Sequence, residues 1–142
     1  MSDANLRTIF RSGLPTWHWQ SIETWSTGQG VPDAEFCAPG GVSGWIENKK
    51  TSANVLSHPP TPEQVAWLER RSRIGGRCFI AVRKQHGGGP RLGKPVDLLY
   101  IYRGDQARNL LAGGITAARA DGCWEGGPRR WPWEEIARTL VS

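Results

Sequence analysis

Residues 31–50 read VPDAEFCAPGGVSGWIENKK, and they decide the fold because they have the pattern of a β-hairpin. We predict a short strand over residues 32–36 and a returning strand over residues 44–50. Between them, residues 38–41 read APGG, a composition typical of a turn. Upstream, residues 17–25 read WHWQSIETW and are rich in aromatic and β-branched side chains. The three segments together predict an antiparallel meander.

The hairpin also gathers groups that have a chemical use. Alternate side chains of a strand share a face, so Glu47 and Lys49 are predicted to point the same way and Asn48 the opposite way. Asp33, in the preceding strand, is predicted to approach them. Two acids and an amine in one place can hold a divalent cation and position a water molecule, as phosphodiester hydrolysis requires. The simpler alternative is that Glu47 and Lys49 form a solvated strand face and that Asp33 is a turn acid.

Helices are predicted before and after the meander. Residues 4–14 carry apolar side chains at helical spacing, and Pro15 follows them. Thr61 is a good N-cap residue, Pro62 suits the first helical position, and Gln64 completes a capping box. A helix is therefore predicted from there to about residue 74, where two glycines follow.

The second half of the chain predicts two more strands and two more helices. Residues 78–82 read CFIAV, an apolar run that is predicted to be the buried centre of the sheet. Residues 96–102 are predicted as the last strand. Asp105 is predicted to cap a helix through residue 111, and a final helix is expected over residues 132–140, whereas residues 113–130 give no pattern. This order favours an α/β fold with a mixed central sheet flanked by helices, one of which crosses over between strands.

The length of the chain favours a single domain, and its charge favours a polyanionic partner. The 142 residues favour a single domain. Residues 51–100 carry eight basic and three acidic side chains, whereas the first fifty residues come to a net −1 and the last forty-two to +1. Most of the basic residues are arginines, whose planar guanidinium suits phosphate oxygens. A polyanionic partner is favoured, and the alternative is a basic surface that keeps the protein soluble.

The cysteines argue against a zinc protein, and the apolar runs argue against a membrane or secreted protein. Cys37, Cys78 and Cys123 are far apart, form no CxxC pair, and have no clustered histidines, which argues against a zinc cage. No apolar run has the length of a membrane span, and the N-terminus lacks the pattern of a secretory signal. A cytoplasmic protein is therefore expected.

The hairpin and its surroundings resemble the PD-(D/E)xK nuclease superfamily. Pro32-Asp33, thirteen intervening residues, and then Glu47-Asn48-Lys49 match its signature. The predicted helix, meander, helix and strand match its core, which implies a restriction-endonuclease-like fold. More narrowly, the chain is similar to small phage and bacterial VRR-NUC nucleases related to Holliday junction resolvases, through residues 22–23, 30–33, 44–49, 62–68 and 75–79. The resemblance covers about residues 18–103, and residues 104–142 would be a C-terminal helical extension of the same domain.

The resemblance implies roles for the residues of the hairpin. Asp33 and Glu47 would supply oxygen ligands to Mg²⁺ or Mn²⁺, with the backbone carbonyl of Asn48 as a further ligand. Lys49 would orient the attacking water or stabilise charge on the phosphorus. Glu23, on the neighbouring strand, would be an auxiliary acid, and its alternative is an exposed strand residue.

The resemblance also extends to the first helix after the meander. Gln64 matches a helix-borne glutamine near the active site of these nucleases, although a capping role explains it equally well and the two roles are compatible. Lys50 is predicted to face away from Lys49 and to contact solvent or phosphate. Nucleic-acid contacts are expected from five basic side chains, namely Lys50, Arg70, Arg71, Arg83 and Lys84.

The function that the resemblance implies is that of a Mg²⁺-dependent endonuclease that hydrolyses phosphodiester bonds in DNA, selective for branched or junction structures. A homodimer is expected if the protein resolves four-way junctions, because paired cuts need paired sites. A phage-encoded enzyme of this kind would act in the cytoplasm of the bacterial host. The alternative is a catalytically silent DNA-binding or phage assembly protein that retains the nuclease fold.

Overall fold

A computed structural model describes residues 4–22 and 30–142 of the chain. Within these residues the chain forms a six-stranded sheet in which the strands lie side by side in sequence order. The strands are β1 (His18–Ser21), β2 (Ala34–Ala38), β3 (Val42–Thr51), β4 (Cys78–His86), β5 (Val96–Arg103) and β6 (Gly122–Trp124). The helices are α1 (Ala4–Gly13), α2 (Pro62–Arg73), α3 (Ala107–Gly113) and α4 (Trp133–Val141), with short 3₁₀ turns at Gly104–Gln106 and Ile115–Ala117. None of these described helices is long and apolar enough to cross a membrane.

The sheet is mixed, as the element order predicts. β1, β2 and β3 form an antiparallel meander. β3 and β4 are parallel, because α2 carries the chain back across the sheet between them. β5 and β6 then continue the sheet by antiparallel pairing. The α/β class, the meander and the crossover helix are therefore confirmed.

Helices cover both faces of the sheet and divide the core in two. On one face, α1 and α4 pack against alternate residues of the strands, and this core includes Leu6, Phe10, Phe36, Ile46, Phe79, Leu99, Ile136 and Leu140. On the other face, α2 and α3 pack against the intervening residues, and that core includes Val65, Leu68, Ile80, Val82, Tyr102 and Leu110. Strand residues at odd and even positions therefore belong to different cores, as the two-residue period of a strand requires.

β4 is the buried centre that its apolar run predicts. Its first five residues, Cys78 to Val82, are all buried between β3 and β5. The strand continues to His86, four residues beyond the predicted end, because residues 83–86 keep pairing with β5 although their side chains are polar. The β4–β5 hairpin thus extends past the helical layers.

The N-terminus of α2 has the predicted capping box. The Thr61 hydroxyl accepts a hydrogen bond from the Gln64 backbone N–H at 3.1 Å. In return, the Gln64 side-chain oxygen accepts one from the Thr61 N–H at 3.0 Å. Pro62 occupies the first turn, where it has no N–H to leave unpaired. This local chemistry fixes where α2 begins and where Gln64 points.

The first two strands differ from their predicted limits. β1 ends at Ser21, and Ile22, which was predicted to be in the strand, lies just beyond it. The remaining predicted residues, 23–25, lie outside the described residues. β2 begins at Ala34, two residues after the predicted start. Pro32 has no N–H for a ladder, and the Asp33 N–H donates to the side chain of Glu47 instead of to a neighbouring strand. Asp33 therefore lies just before the strand.

Two predictions for the C-terminal part are wrong. Asp105 caps no helix, because it lies within the 3₁₀ turn and α3 begins after Gln106, with no capping hydrogen bond from a side chain. Gly122–Trp124 forms a sixth strand, which the sequence does not predict, so residues 104–142 are not purely helical. Three residues are too few to show an alternating pattern, and the strand is fixed instead by pairing with β5 and by the burial of Trp124.

Candidate active site at the β2–β3 hairpin

The two carboxylates of the hairpin meet where β2 begins. The Asp33 N–H donates to Oε1 of Glu47 at 3.2 Å. Oδ1 of Asp33 accepts from the backbone N–H of Asn48 at 3.1 Å and from its side-chain amide at 3.3 Å. These contacts join residues fourteen and fifteen positions apart, and they hold Asp33 beside Glu47 of β3 at the point where β2 begins.

The pairing of β3 with β4 shows that Glu47 and Lys49 face α2. Glu47 lies beside Ile80 and Lys49 beside Val82, and both β4 residues belong to the core under α2. Ile46 belongs to the opposite core. The predicted alternation along β3 is confirmed.

Lys49 connects the acids to the helix. Its Nζ lies 3.5 Å from Oε2 of Glu47 and donates to Oε1 of Gln64 at 3.1 Å. The same Gln64 oxygen accepts from the Thr61 N–H. Gln64 therefore has both of the positions that were predicted for it, as a capping residue and as a neighbour of the hairpin cluster.

The cluster is buried to a degree that excludes a solvated strand face. Asp33 is 6% exposed, Glu47 1% and Lys49 3%. Removing a charged group from water costs several kcal/mol even after relaxation, and attraction between partners offsets only part of that. A salt bridge of this kind is seldom the most stable way to fill a core, whereas strongly desolvated charges are typical of functional sites.

Arg7 is a member of the cluster that the sequence does not predict. Its Nη1 lies 4.0 Å from Oδ2 of Asp33, and its side chain is 30% exposed. Arg7 lies on α1, twenty-six positions before Asp33, and no local motif connects the two residues. Only the packing of α1 against the sheet brings its charge to the hairpin.

The donors present fit a hard divalent cation. The described residues contain no group of three or more His, Cys, Asp or Glu side chains able to hold a metal. They do offer two carboxylates, and Oδ1 of Asn48 is buried with no hydrogen-bond partner among the described residues. The ligand predicted from Asn48 is its backbone carbonyl, whereas this unpaired oxygen belongs to its side chain. Two carboxylates, one neutral oxygen of Asn48 and waters would form the oxygen-rich set that Mg²⁺ and Mn²⁺ prefer. Glu23, the predicted auxiliary acid, lies outside the described residues.

Comparisons with protein-family models, with curated proteins and with solved structures gave no significant match. They assign this chain to no family. The burial, charge and hydrogen bonds of the hairpin cluster are therefore the grounds on which a function is proposed below.

The basic residues predicted to contact nucleic acid lie in three places. Arg70 is exposed on α2, and the guanidinium of Arg71 lies 4.4 Å above the ring of Trp67. Lys50 and Arg83 are partners across β3 and β4, and so they share a face of the sheet. The remaining one, Lys84, faces the other way and donates to the Asn54 side chain at 2.7 Å.

Gly30 is expected to be essential for the approach of the hairpin to α2. It has φ of +88°, and a Cβ there would lie 2.3 Å from the carbonyl oxygen of Glu63. We expect Gly30→Ala to lower the free energy of unfolding by about 3 kcal/mol, from backbone strain and from this clash. Gly40→Ala is the matched control, because Gly40 has φ of +92° but nothing within 4 Å. Urea unfolding that shows equal losses for both variants would contradict the close packing at Gly30.

Proposed function

We propose that this chain is a Mg²⁺- or Mn²⁺-dependent deoxyribonuclease that hydrolyses phosphodiester bonds, with its catalytic centre at the β2–β3 hairpin. The observation that carries the proposal is the burial of Asp33, Glu47 and Lys49 in one cluster, joined by a hydrogen bond and an ion pair, where β2 begins beside β3. The cluster has the carboxylates and the ammonium group that phosphodiester hydrolysis uses. It also has the residue order Asp, Glu, x, Lys of the PD-(D/E)xK signature.

Each residue has a role that follows from its charge and contacts. Asp33 and Glu47 would hold the cation, which when bound neutralises phosphate charge and makes a water a better nucleophile. The Lys49 ammonium is a compact charge that would stabilise the negative charge developing on the phosphorus oxygens. Its bonds to Glu47 and Gln64 hold it in place before substrate arrives. The buried setting strengthens each of these interactions.

Gln64 would be a positioning residue, because it acts through Lys49. We expect Gln64→Ala to lower kcat about tenfold with little change in KM, since the ammonium loses its fixed direction. The helix cap is also weakened, at a cost of about 1 kcal/mol. Thr61→Ala is the control, because it weakens the same cap but leaves the Gln64 side chain beside Lys49. If both variants cleave DNA at the same rate, Gln64 is only a capping residue.

The substrate is proposed to be DNA with a branched or junction structure, and a homodimer is proposed if paired cuts are made. The basic bias of residues 51–100 supports a polyanionic substrate. Arg70 is exposed on α2, whereas Lys50 is exposed and Lys84 half-exposed on opposite faces of the sheet. Such a distribution suits a substrate with more than one arm.

A second candidate is a silent DNA-binding or phage assembly protein. The observation in its favour is that polar groups of the cluster pair with one another and with neighbouring residues. Asp33 accepts hydrogen bonds from the amide groups of Asn48, and Lys49 contacts Glu47 and Gln64. Such a cluster can hold the hairpin together without turnover. This candidate predicts DNA binding that is the same with and without Mg²⁺, and no cleavage.

A substrate panel separates the two candidates. Purified protein would be incubated with labelled four-way junction, flap, duplex and single-stranded DNA, with Mg²⁺ in one series and EDTA in the other. The nuclease proposal expects cleavage in the Mg²⁺ series only, fastest on a branched substrate. Binding of all four without cleavage would support the silent candidate. The oligomeric state, measured by light scattering with and without junction DNA, tests the homodimer.

A further inference from the structure

A concave site lies at the end of β3, directly after the candidate catalytic residues. It is a pocket of about 340 Å³ whose lining includes Lys50, Ser57, His58 and Arg83. All four side chains carry groups that can donate hydrogen bonds, and two are cationic. Among the residues that the structure describes, no acidic side chain lines this pocket.

The cationic groups of the pocket are arranged by the sheet. Lys50 and Arg83 are direct partners on the parallel β3 and β4 strands. The Arg83 guanidinium is oriented by two hydrogen bonds to Asp97, from Nε at 2.9 Å and from Nη2 at 2.8 Å. In the loop before α2, which also lines the pocket, the Ser57 hydroxyl and Nδ1 of His58 are 3.4 Å apart. Arginine held in one direction is a better anion ligand than a mobile one, because less rotamer entropy is lost on binding.

We propose that this pocket binds a backbone phosphate of DNA, a few nucleotides from the bond that is cut. Lysine, a fixed guanidinium, an imidazole and a hydroxyl form a donor set suited to a phosphate group. The neighbouring cleft of about 930 Å³ is a poorer phosphate site, because the Glu125 carboxylate lines it in addition to Asp97, which is already paired with Arg83. The inference rests on the proposed nuclease function for the identity of its ligand.

The position of the pocket supports a phosphate of the same DNA molecule. Lys49 and Lys50 are consecutive, and they point to opposite faces of the sheet, Lys49 into the buried cluster and Lys50 into the pocket. We expect a nucleic acid bound over the cluster to continue past the end of β3, where a neighbouring phosphate would reach the pocket. Binding at the pocket would fix the register of the substrate over the cluster without reading its bases.

The test measures DNA affinity without cleavage. A fluorescein-labelled duplex would be titrated with protein in EDTA at several NaCl concentrations, using fluorescence anisotropy. We expect Lys50→Gln to weaken binding about three- to tenfold and to reduce the slope of log K against log salt by about 0.9, the value for one lost phosphate contact. Lys94→Gln removes the same charge from an exposed loop position and is the matched control, for which wild-type affinity is expected.

A second variant and a competing anion, inorganic phosphate, serve as controls for the effect of Lys50→Gln. His58→Gln is expected to weaken binding by a similar factor, with the Lys50→Gln and His58→Gln proteins both showing the wild-type unfolding curve. Unchanged affinity in both variants, or an equal loss in Lys94→Gln, would overturn the proposal. The proposal would also be overturned if inorganic phosphate bound the pocket but the affinity for duplex DNA did not depend on Lys50. The pocket would then be a site for a free anion. DNA binding that depends on the pocket, without any cleavage, would support the phosphate site and contradict the proposed nuclease activity.

Discussion

Replacing Glu47 with glutamine is expected to reduce the rate of DNA cleavage about a thousandfold or more. Glutamine keeps the size and one oxygen of the side chain but removes the negative charge that would hold a divalent cation. Asp33 alone would then have to bind the metal. Duplex affinity in EDTA is not expected to fall, because removing a negative charge does not oppose the binding of a polyanion.

A neighbouring acid provides the control for this prediction. Glu35 lies on β2, two residues after Asp33 and opposite Trp45 of β3, and Glu35→Gln removes the same charge from the same hairpin. We expect that variant to cleave DNA at nearly the wild-type rate. Single-turnover cleavage with Mg²⁺ in excess measures both variants on the same substrate. Equal rates for Glu47→Gln and wild type would show that another group performs the reaction.

Lys49→Ala is expected to have two large effects, one on stability and one on cleavage. It leaves Glu47 charged at 1% exposure without its ammonium partner. Breaking a buried pair from one side typically lowers the free energy of unfolding by about 3–5 kcal/mol. Loss of a fixed positive charge at the reacting phosphate is expected to slow cleavage about a hundredfold.

The two effects of Lys49→Ala can be separated by a second substitution. Glutamine at position 47 removes the buried carboxylate charge that Lys49→Ala leaves without its ammonium partner. The double variant Lys49→Ala with Glu47→Gln should regain stability but not cleavage. A double variant that is no more stable than Lys49→Ala would contradict the buried ion pair.

Elements whose cause is local could be predicted from the sequence. The start of α2 follows from Thr61, Pro62 and Gln64, because a capping box uses only residues three positions apart. The central position of β4 follows from its unbroken apolar run. The common face of Glu47 and Lys49 follows from the strand period alone.

Features that depend on distant packing could not be predicted. β6 exists because β5 offers an edge and Trp124 fills the core, and neither cause can be read from the residues 122–124 themselves. The approach of Arg7 to Asp33 depends on how α1 crosses the sheet. The sequence suggested that Asp33, Glu47 and Lys49 converge, but their near-complete burial required the fold. That burial excludes the alternative of a solvated strand face.

The most direct test of the account is the rate at which the purified protein cleaves labelled four-way junction and duplex DNA after metal is removed with EDTA and Mg²⁺ is then restored. Glu47→Gln, prepared in the same way, is measured beside it. The account predicts no cut in EDTA, cleavage by the wild-type protein once Mg²⁺ is added, and a rate about a thousandfold lower for the variant. No cleavage of either DNA by wild type, or equal cleavage by the variant, would contradict it.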